Sequence, residues 1–143
     1  MNPQPPSPDA LIKKADKACS SAQALLELGD TDGAANRAYY AMFSAARAAL
    51  LASGAVTASE GVERTHGGLI GAFGRHLVKD GPLPKEMGRF LNRAHESRLI
   101  ADYNDAPVEV ADAQELVEQA SIFVEAMRTV FMPDDSDEDR PTP

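Results

Sequence analysis

The sequence predicts an all-α protein, an up-and-down bundle of about five helices, and three observations support this prediction. The stretch from Ala34 to Ala52 is dominated by alanine and contains neither glycine nor proline, which favours helix. The last long segment carries apolar residues at heptad spacing, as helices that pack along a seam do. Breaks rich in glycine, proline, asparagine and aspartate separate the segments at residues 29–30, 80–84 and 104–107. The seam consists of Val110, Ala113, Val117, Ala120, Val124, Met127 and Phe131.

Length and composition indicate one soluble globular domain. The chain has 143 residues, of which 43% are hydrophobic and 25% charged, ordinary values for such a domain. No apolar run is long enough to span a membrane, and the proline-rich start does not resemble a signal peptide. The single cysteine, Cys19, excludes an internal disulfide and fits a reducing compartment. We therefore expect a cytoplasmic protein.

Charge is unevenly distributed along the chain. The net charge of −8 argues against non-specific nucleic-acid binding, which needs a basic surface. Residues 134–140 hold five acids against one base, whereas residues 60–98 hold seven bases, five acids and all three histidines. The pattern therefore allows a mildly basic surface on an acidic protein.

The two ends are expected to be disordered and to flank a helical domain over residues 7–132. Residues 1–6 are rich in proline, and residues 133–143 form the acidic tail. The first helix is predicted to begin with Ser7 as N-cap and Pro8 at its first position, and to end near Leu28.

The second helix is predicted to be the centre of the bundle. Asp30 or Thr31 caps it and it ends near Gly54. At 100° per residue its apolar side chains share one broad face, which would pack against neighbouring helices. Its polar sector must face solvent, a partner chain or a site. That sector consists of Asn36, Arg37, Tyr40, Ser44 and Arg47.

Three more helices are predicted after a loop. The third covers residues 62–79, and its four glycines suggest close helix packing or a frayed first turn rather than a phosphate-binding loop. The fourth begins at Pro84 or Lys85 and ends at Ala101 or Tyr103, and the fifth covers residues 108–131. The seam of the fifth helix could pack inside the bundle or against a second copy of the chain.

The end of the fourth helix is the candidate site. Arg98 falls in the middle of an apolar stripe, where an unpaired charge is unfavourable. Asp102, four residues on, is the obvious partner, with Tyr103 beside it. The group is either a structural ion pair or a site at which Arg98 presents its guanidinium to a phosphate or carboxylate.

Four motifs stand out along the chain. They are the Asn-Arg-Ala-Tyr-Tyr-Ala-Met-Phe run that begins at Asn36, the Thr-His-Gly-Gly-Leu-Ile run from Thr65, the Phe-Gly-Arg-His run from Phe73, and Arg98 to Tyr103. Together they resemble the HEPN superfamily, in particular its small standalone bacterial and archaeal branch. The resemblance covers about residues 10–131. It implies a helical bundle that usually dimerises and often pairs with a minimal nucleotidyltransferase in a toxin–antitoxin operon. Many relatives are metal-independent ribonucleases with an Arg-x4-6-His motif.

The chain departs from that motif. Asp102 and Tyr103 occupy the places after Arg98 where the family's histidine would fall, and a phenol is a poorer base than imidazole at neutral pH. Arg89 and His95 fit the spacing but lie about 240° apart on a continuous helix. We therefore interpret His95 as a surface residue. His66 and His76 are interpreted as capping or solvent-facing residues, and neither a zinc site nor a cofactor is expected.

Three functions remain open. The chain could be a HEPN module that forms a homodimer and serves as partner or target of a nucleotidyltransferase. It could be a ribonuclease with a modified site at Arg98, Asp102 and Tyr103, or a helical adaptor or small-ligand binder. The candidates for RNA or nucleotide binding are Arg37, Tyr40, Arg47 and Arg98.

Overall fold

The fold is an all-α bundle. The computed structural model describes residues 6–57, 61 and 64–132, and it contains no strand among them. The helices are α1 (Pro8–Glu27), α2 (Thr31–Ala52), α3 (His66–Ala72), α4 (Lys85–Tyr103) and α5 (Val110–Phe131), and a π-helical segment (Phe73–Lys79) continues α3. The predicted class and number of helices are confirmed. The predictions for residues 1–5 and 133–143 lie outside the described residues.

Helix α2 is the centre of the bundle, as its composition predicts. It packs against α1, α4 and α5 and also contacts α3. Most of its circumference is buried, because alanine at Ala41, Ala45 and Ala48 lets other helices approach on sides where larger residues would not fit. Ser44 is also buried, so the exposed polar sector is narrower than predicted.

Side-chain caps fix the starts of three helices. The Ser7 hydroxyl accepts a hydrogen bond from the Ala10 amide at 3.1 Å, and the Asp30 carboxylate accepts one from the Gly33 amide at 2.8 Å. Thr65 caps α3 by accepting from the Gly68 amide at 3.1 Å. Each cap satisfies an amide that has no partner within its helix.

The third helix differs from its prediction. It begins at His66 rather than four residues earlier, because Thr65 has extended backbone angles and acts as N-cap. From Phe73 the helix widens into the π-helical form, and the Asp80 amide donates to the Arg75 carbonyl at 3.1 Å. Hydrophobic spacing alone does not distinguish these two helical forms over such a short segment.

Close packing does not explain three of the glycines in this segment. A Cβ atom placed on Gly67, Gly71 or Gly74 would have no neighbouring atom within 4 Å. The interpretation that these glycines allow close helix contact is therefore wrong. They lie on the outer side of the third helix and its π-helical extension, where a larger side chain would fit.

Most of the seam of α5 packs inside the bundle. Ala113, Val117, Ala120, Val124 and Met127 are all buried, whereas the two end residues of the seam are not: Val110 is 58% exposed and Phe131 is half-buried. The helix begins at Val110 rather than Val108, whose amide donates instead to the Asp32 carboxylate at 2.9 Å. A second copy of the chain is therefore not needed to cover this seam.

None of the helices in the described part of the chain is both long and apolar enough to cross a membrane.

Candidate functional site

Four polar and aromatic side chains from three helices meet on one side of α2. They are Tyr39 of α2, His66 of α3, and His95 and Arg98 of α4. We call this group the Tyr–His–Arg cluster. The two imidazole rings are stacked, with centroids 5.6 Å apart and planes inclined by 22°. The Arg98 guanidinium carbon lies 5.4 Å from the centre of the Tyr39 ring, within the range of a cation–π interaction.

Local structure explains how these residues come together. Tyr39 is 2% exposed and lies under the cluster, where its ring contacts both imidazoles. His66 is the first residue of α3, so the Thr65 cap fixes its position. His95 and Arg98 are three residues apart on α4 and therefore share a face of that helix.

The hydrogen bonds assign the tautomer of neutral His66. The Tyr39 hydroxyl lies 2.5 Å from His66 Nδ1, and Arg98 Nη1 lies 3.4 Å from His66 Nε2. Arginine has only donors, so Nε2 must be the acceptor and Nδ1 must carry the proton. The Nδ1–H then donates to the Tyr39 oxygen. The lone pair of Nε2 is directed at Arg98 Nη1 across 3.4 Å, a distance that is long for a hydrogen bond.

The surroundings of His66 favour the neutral imidazole. Burial lowers the pKa of His66 from its ordinary value, and the charge of Arg98 and the neighbouring His95 lower that pKa further. Burial raises the pKa of Tyr39 to about 12, against the opposing effect of Arg98. At neutral pH the site therefore contains a neutral base next to a protonated phenol and a permanent cation.

Arg98 is only partly satisfied by its neighbours. Its side chain is 28% exposed, and its Nε lies 4.0 Å from Asp102 Oδ2. This separation is too long for a hydrogen bond, and Nε is buried without a hydrogen-bond partner among the described residues. Because this Nε is buried, an anionic ligand would meet the Nη nitrogens of the guanidinium instead.

A cleft of about 430 Å³ lies on the other side of Arg98. Its lining includes Asp30, Asp32 and Asp102 together with Asn36. Three carboxylates disfavour an anion there. A phosphate would therefore reach Arg98 from the side of the two histidines.

Among the described residues, no group of three or more histidine, cysteine, aspartate or glutamate side chains is placed to hold a metal ion.

Comparison with known proteins identifies the family. A family model described as the HEPN domain matches residues 9–130, which is most of the chain. This chain belongs to the HEPN family. The resemblance seen in its motifs is thereby confirmed.

Relatives of this HEPN protein occur in bacteria and archaea. A UPF0332 protein of Gloeobacter violaceus is 35% identical over 84% of this chain and 92% of its own length. A UPF0332 protein of Thermotoga maritima is 33% identical over 83% of this chain and 86% of its own. A Methanocaldococcus jannaschii protein named "Putative toxin MJ0605" is 32% identical over 83% of this chain and 84% of its own.

The HEPN domain does not bring all the predicted site residues together. Arg98 lies over the Tyr39 ring and beside Asp102, whereas Tyr103 is 87% exposed. Arg37 and Tyr40 line a separate groove between α1 and α2. Arg47 lines neither this groove nor the acidic cleft, and its Nε is buried without a partner among the described residues.

Three residues of the cluster were not predicted from the sequence to belong to a site. Tyr39 lies on the inward, apolar face of α2, and its hydroxyl also reaches the site. His95 was interpreted as a surface residue and is instead half-buried, with a buried Nδ1. His66 is exposed as interpreted, yet it also contacts Tyr39 and Arg98. The spacing of His95 and Arg98, which places them on one helix face, was the available signal.

Proposed function

We propose that this chain is a toxin-type HEPN ribonuclease that cleaves single-stranded RNA without a metal ion. The observation that carries the proposal is the meeting of His66 and His95 with Arg98, in which Nε2 of the exposed His66 lies 3.4 Å from Arg98 Nη1. The toxin names of two archaeal relatives also support it.

The cluster contains the groups that phosphodiester cleavage by a ribose hydroxyl requires. Nε2 of His66 takes the proton of the 2′-hydroxyl, whose oxygen attacks the phosphorus. Arg98 binds the phosphate and stabilises the charge that develops on its oxygens. The bond from phosphorus to the 5′ oxygen breaks, and His95, stacked beside His66, is placed to pass a proton to that oxygen. The products are a 2′,3′-cyclic phosphate and a 5′-hydroxyl.

Tyr39 positions the base in this scheme. Its oxygen accepts from His66 Nδ1, which holds the imidazole with Nε2 directed toward Arg98. When His66 takes up a proton, the same hydrogen bond remains in place. Tyr39 therefore acts through His66 and does not itself touch the reacting atoms.

Cleavage of single-stranded RNA in the presence of EDTA tests the proposal. His66→Gln and Arg98→Ala should each reduce the rate by about 10²-fold or more, the effect of removing a catalytic base or a transition-state donor. His76→Gln and Arg89→Ala are matched controls, because both residues are exposed and lie outside the cluster. Equal rates for all four variants, or no cleavage by the wild type, would contradict the proposal.

A second candidate function is that the chain is the target of a nucleotidyltransferase partner. The observation that favours it is the 87% exposure of Tyr103, which follows in sequence the Asp102 that pairs with Arg98. Intact mass measured after co-expression with a nucleotidyltransferase encoded beside this chain should rise by one or more nucleotides. Tyr103→Phe should prevent that increase and Tyr40→Phe should not.

A further inference from the structure

A second polar concavity lies between α1 and α2, away from the Tyr–His–Arg cluster. We call it the α1–α2 groove, and its volume is about 630 Å³. Its polar lining consists of Lys14, Lys17 and Ser21 from α1, and Arg37 and Tyr40 from α2. Apolar side chains form the rest of its surface.

The groove concentrates positive charge on an acidic protein. Lys14, Lys17 and Arg37 all face it, whereas the whole chain has a net charge of −8. None of the described residues that line the groove is acidic. Within residues 6–57, 61 and 64–132, none of these three cations has an ion-pair partner. All three side chains are exposed, so their charges are free to meet an anionic ligand that enters the groove.

The groove also has a surface on which a base can stack. Tyr40 is 40% exposed, and the Arg37 guanidinium carbon lies 5.4 Å from the centre of its ring. Tyrosine rings and guanidinium planes both stack on nucleobases that are not paired. Cations beside a stacking surface are what proteins use to bind single strands without sequence preference.

The groove and the Tyr–His–Arg cluster both adjoin helix α2. Tyr39 and Tyr40 are consecutive on α2, so their side chains point to different sides of that helix. The first lies under the Tyr–His–Arg cluster and the second opens into the groove. Asn36, one residue before Arg37, lines the acidic cleft beside Arg98. The cluster and the groove therefore lie on different sides of the same helix.

We propose that the α1–α2 groove binds the part of a single-stranded RNA that flanks the cleaved phosphodiester. Lys14, Lys17 and Arg37 bind its phosphates, and a base stacks on Tyr40. This inference rests on the proposed ribonuclease function. It adds a binding subsite that determines affinity, whereas the cluster determines the chemistry.

The test measures binding separately from cleavage. The probe is a fluorescein-labelled oligouridylate of about 16 nucleotides, titrated with the full chain at several salt concentrations. The Lys14→Gln/Lys17→Gln double variant should bind more weakly. The slope of the logarithm of the binding constant against the logarithm of the salt concentration should be smaller in magnitude by about 1.4, or about 0.7 for each lost phosphate contact. The control is Lys13→Gln/Lys79→Gln, which removes the same charge from two exposed lysines outside the groove. This control should retain most of the wild-type slope.

Tyr40→Leu tests the stacking contact without a change of charge. It should weaken binding of the oligouridylate about tenfold or more, as loss of a base–aromatic contact does. Circular dichroism and thermal unfolding confirm that each variant is folded.

The outcomes separate this inference from the proposed function. If the wild type cleaves RNA and the groove variants bind and cleave as it does, the groove proposal is wrong and the ribonuclease function stands. If the wild type binds RNA through the groove and does not cleave it, the subsite stands and the ribonuclease function is wrong. If the wild type neither binds nor cleaves RNA, both are wrong.

Discussion

The hydroxyl of Tyr39 and Nδ1 of His66 lie 2.5 Å apart, although the two residues are 27 positions apart in sequence. This hydrogen bond joins the central helix of the bundle to the first residue of α3. It fixes the imidazole from one side while Arg98 contacts it from the other. The orientation of the proposed base therefore depends on the core of the bundle.

Removing the Tyr39 hydroxyl should affect activity more than stability. Tyr39→Phe keeps the ring that packs under Arg98 but removes the acceptor for His66 Nδ1–H. We expect a loss of about 1 kcal/mol in the free energy of unfolding, typical of one hydrogen bond. We also expect a reduced rate of cleavage, because the imidazole of His66 then loses the hydrogen bond that orients it.

Chemical denaturation measures the loss of unfolding free energy, and RNA cleavage in EDTA measures the rate. Nitrogen-15 NMR of the imidazoles reports the tautomer of His66. Phe43→Leu is the control, since Phe43 contacts the His66 ring without a hydrogen bond. A Tyr39→Phe variant that keeps the wild-type tautomer and rate would show that this hydrogen bond does not position the base.

The pKa of His66 should lie below 6.5 and should respond to Arg98. Burial is the larger cause of the lowered pKa and Arg98 the next. Arg98→Gln should therefore raise the pKa of His66 without restoring it fully to the ordinary value. NMR titration of the His66 ring protons measures this shift, and Arg89→Gln should leave it unchanged.

The lowered pKa of His66 also determines whether the stability of the fold rises or falls with pH. Between the lowered pKa of folded His66 and about 6.5, the unfolded chain binds more protons than the folded chain. The contribution of His66 to stability is therefore complete above about pH 6.5 and decreases as the pH falls through this window. Cleavage should decline over the same window, because protonated His66 cannot act as base. A rate that rises on acidification below pH 6 would contradict the assignment of His66 as base.

Much of the fold could be predicted because composition, capping residues and hydrophobic spacing all indicated the helices that the bundle contains. The alanine-rich α2, the caps at Ser7 and Asp30, and the seam of α5 each had a direct sequence pattern. The π-helical segment had none, since it depends on how Phe73 and Leu77 pack against the rest of the core. Periodicity identifies which residues are buried, and it leaves the local helical form open.

Only part of the candidate site could be predicted from the sequence. Arg98 could be identified, because a charge in an apolar stripe requires an explanation. His66 could not be paired with it, because 32 residues and an intervening helical segment separate them. Their contact depends on how α3 packs beside α4, which no spacing along the chain specifies.

Overpacking α2 should destabilise the bundle. Ala45 is fully buried, and Ala45→Leu adds three carbon atoms where no space exists. We expect a loss of about 1–3 kcal/mol in the free energy of unfolding. Ala111→Leu is the control, because Ala111 is exposed on α5. Equal stability of the two variants in urea denaturation would mean that α2 is less tightly enclosed than described.

We expect the chain to form a twofold homodimer through the outer face of α4. Leu99, Ile100 and Tyr103 are 40%, 59% and 87% exposed, which places three large apolar side chains within about one turn. Ile100→Glu should give a monomer in sedimentation equilibrium, whereas Val130→Glu on α5 should remain dimeric. A monomeric wild type at tens of micromolar would refute this expectation.

The chemistry at the Tyr–His–Arg cluster is tested most directly by the ends of the RNA fragments produced in EDTA. The account predicts a 2′,3′-cyclic phosphate on one fragment and a 5′-hydroxyl on the other, both identified by mass spectrometry. A substrate with a single 2′-deoxyribose at the cleaved position should remain intact, because it lacks the attacking hydroxyl. Cleavage of that deoxy substrate at the wild-type rate, or fragments that end in a 5′-phosphate, would contradict the assignment of His66 and Arg98.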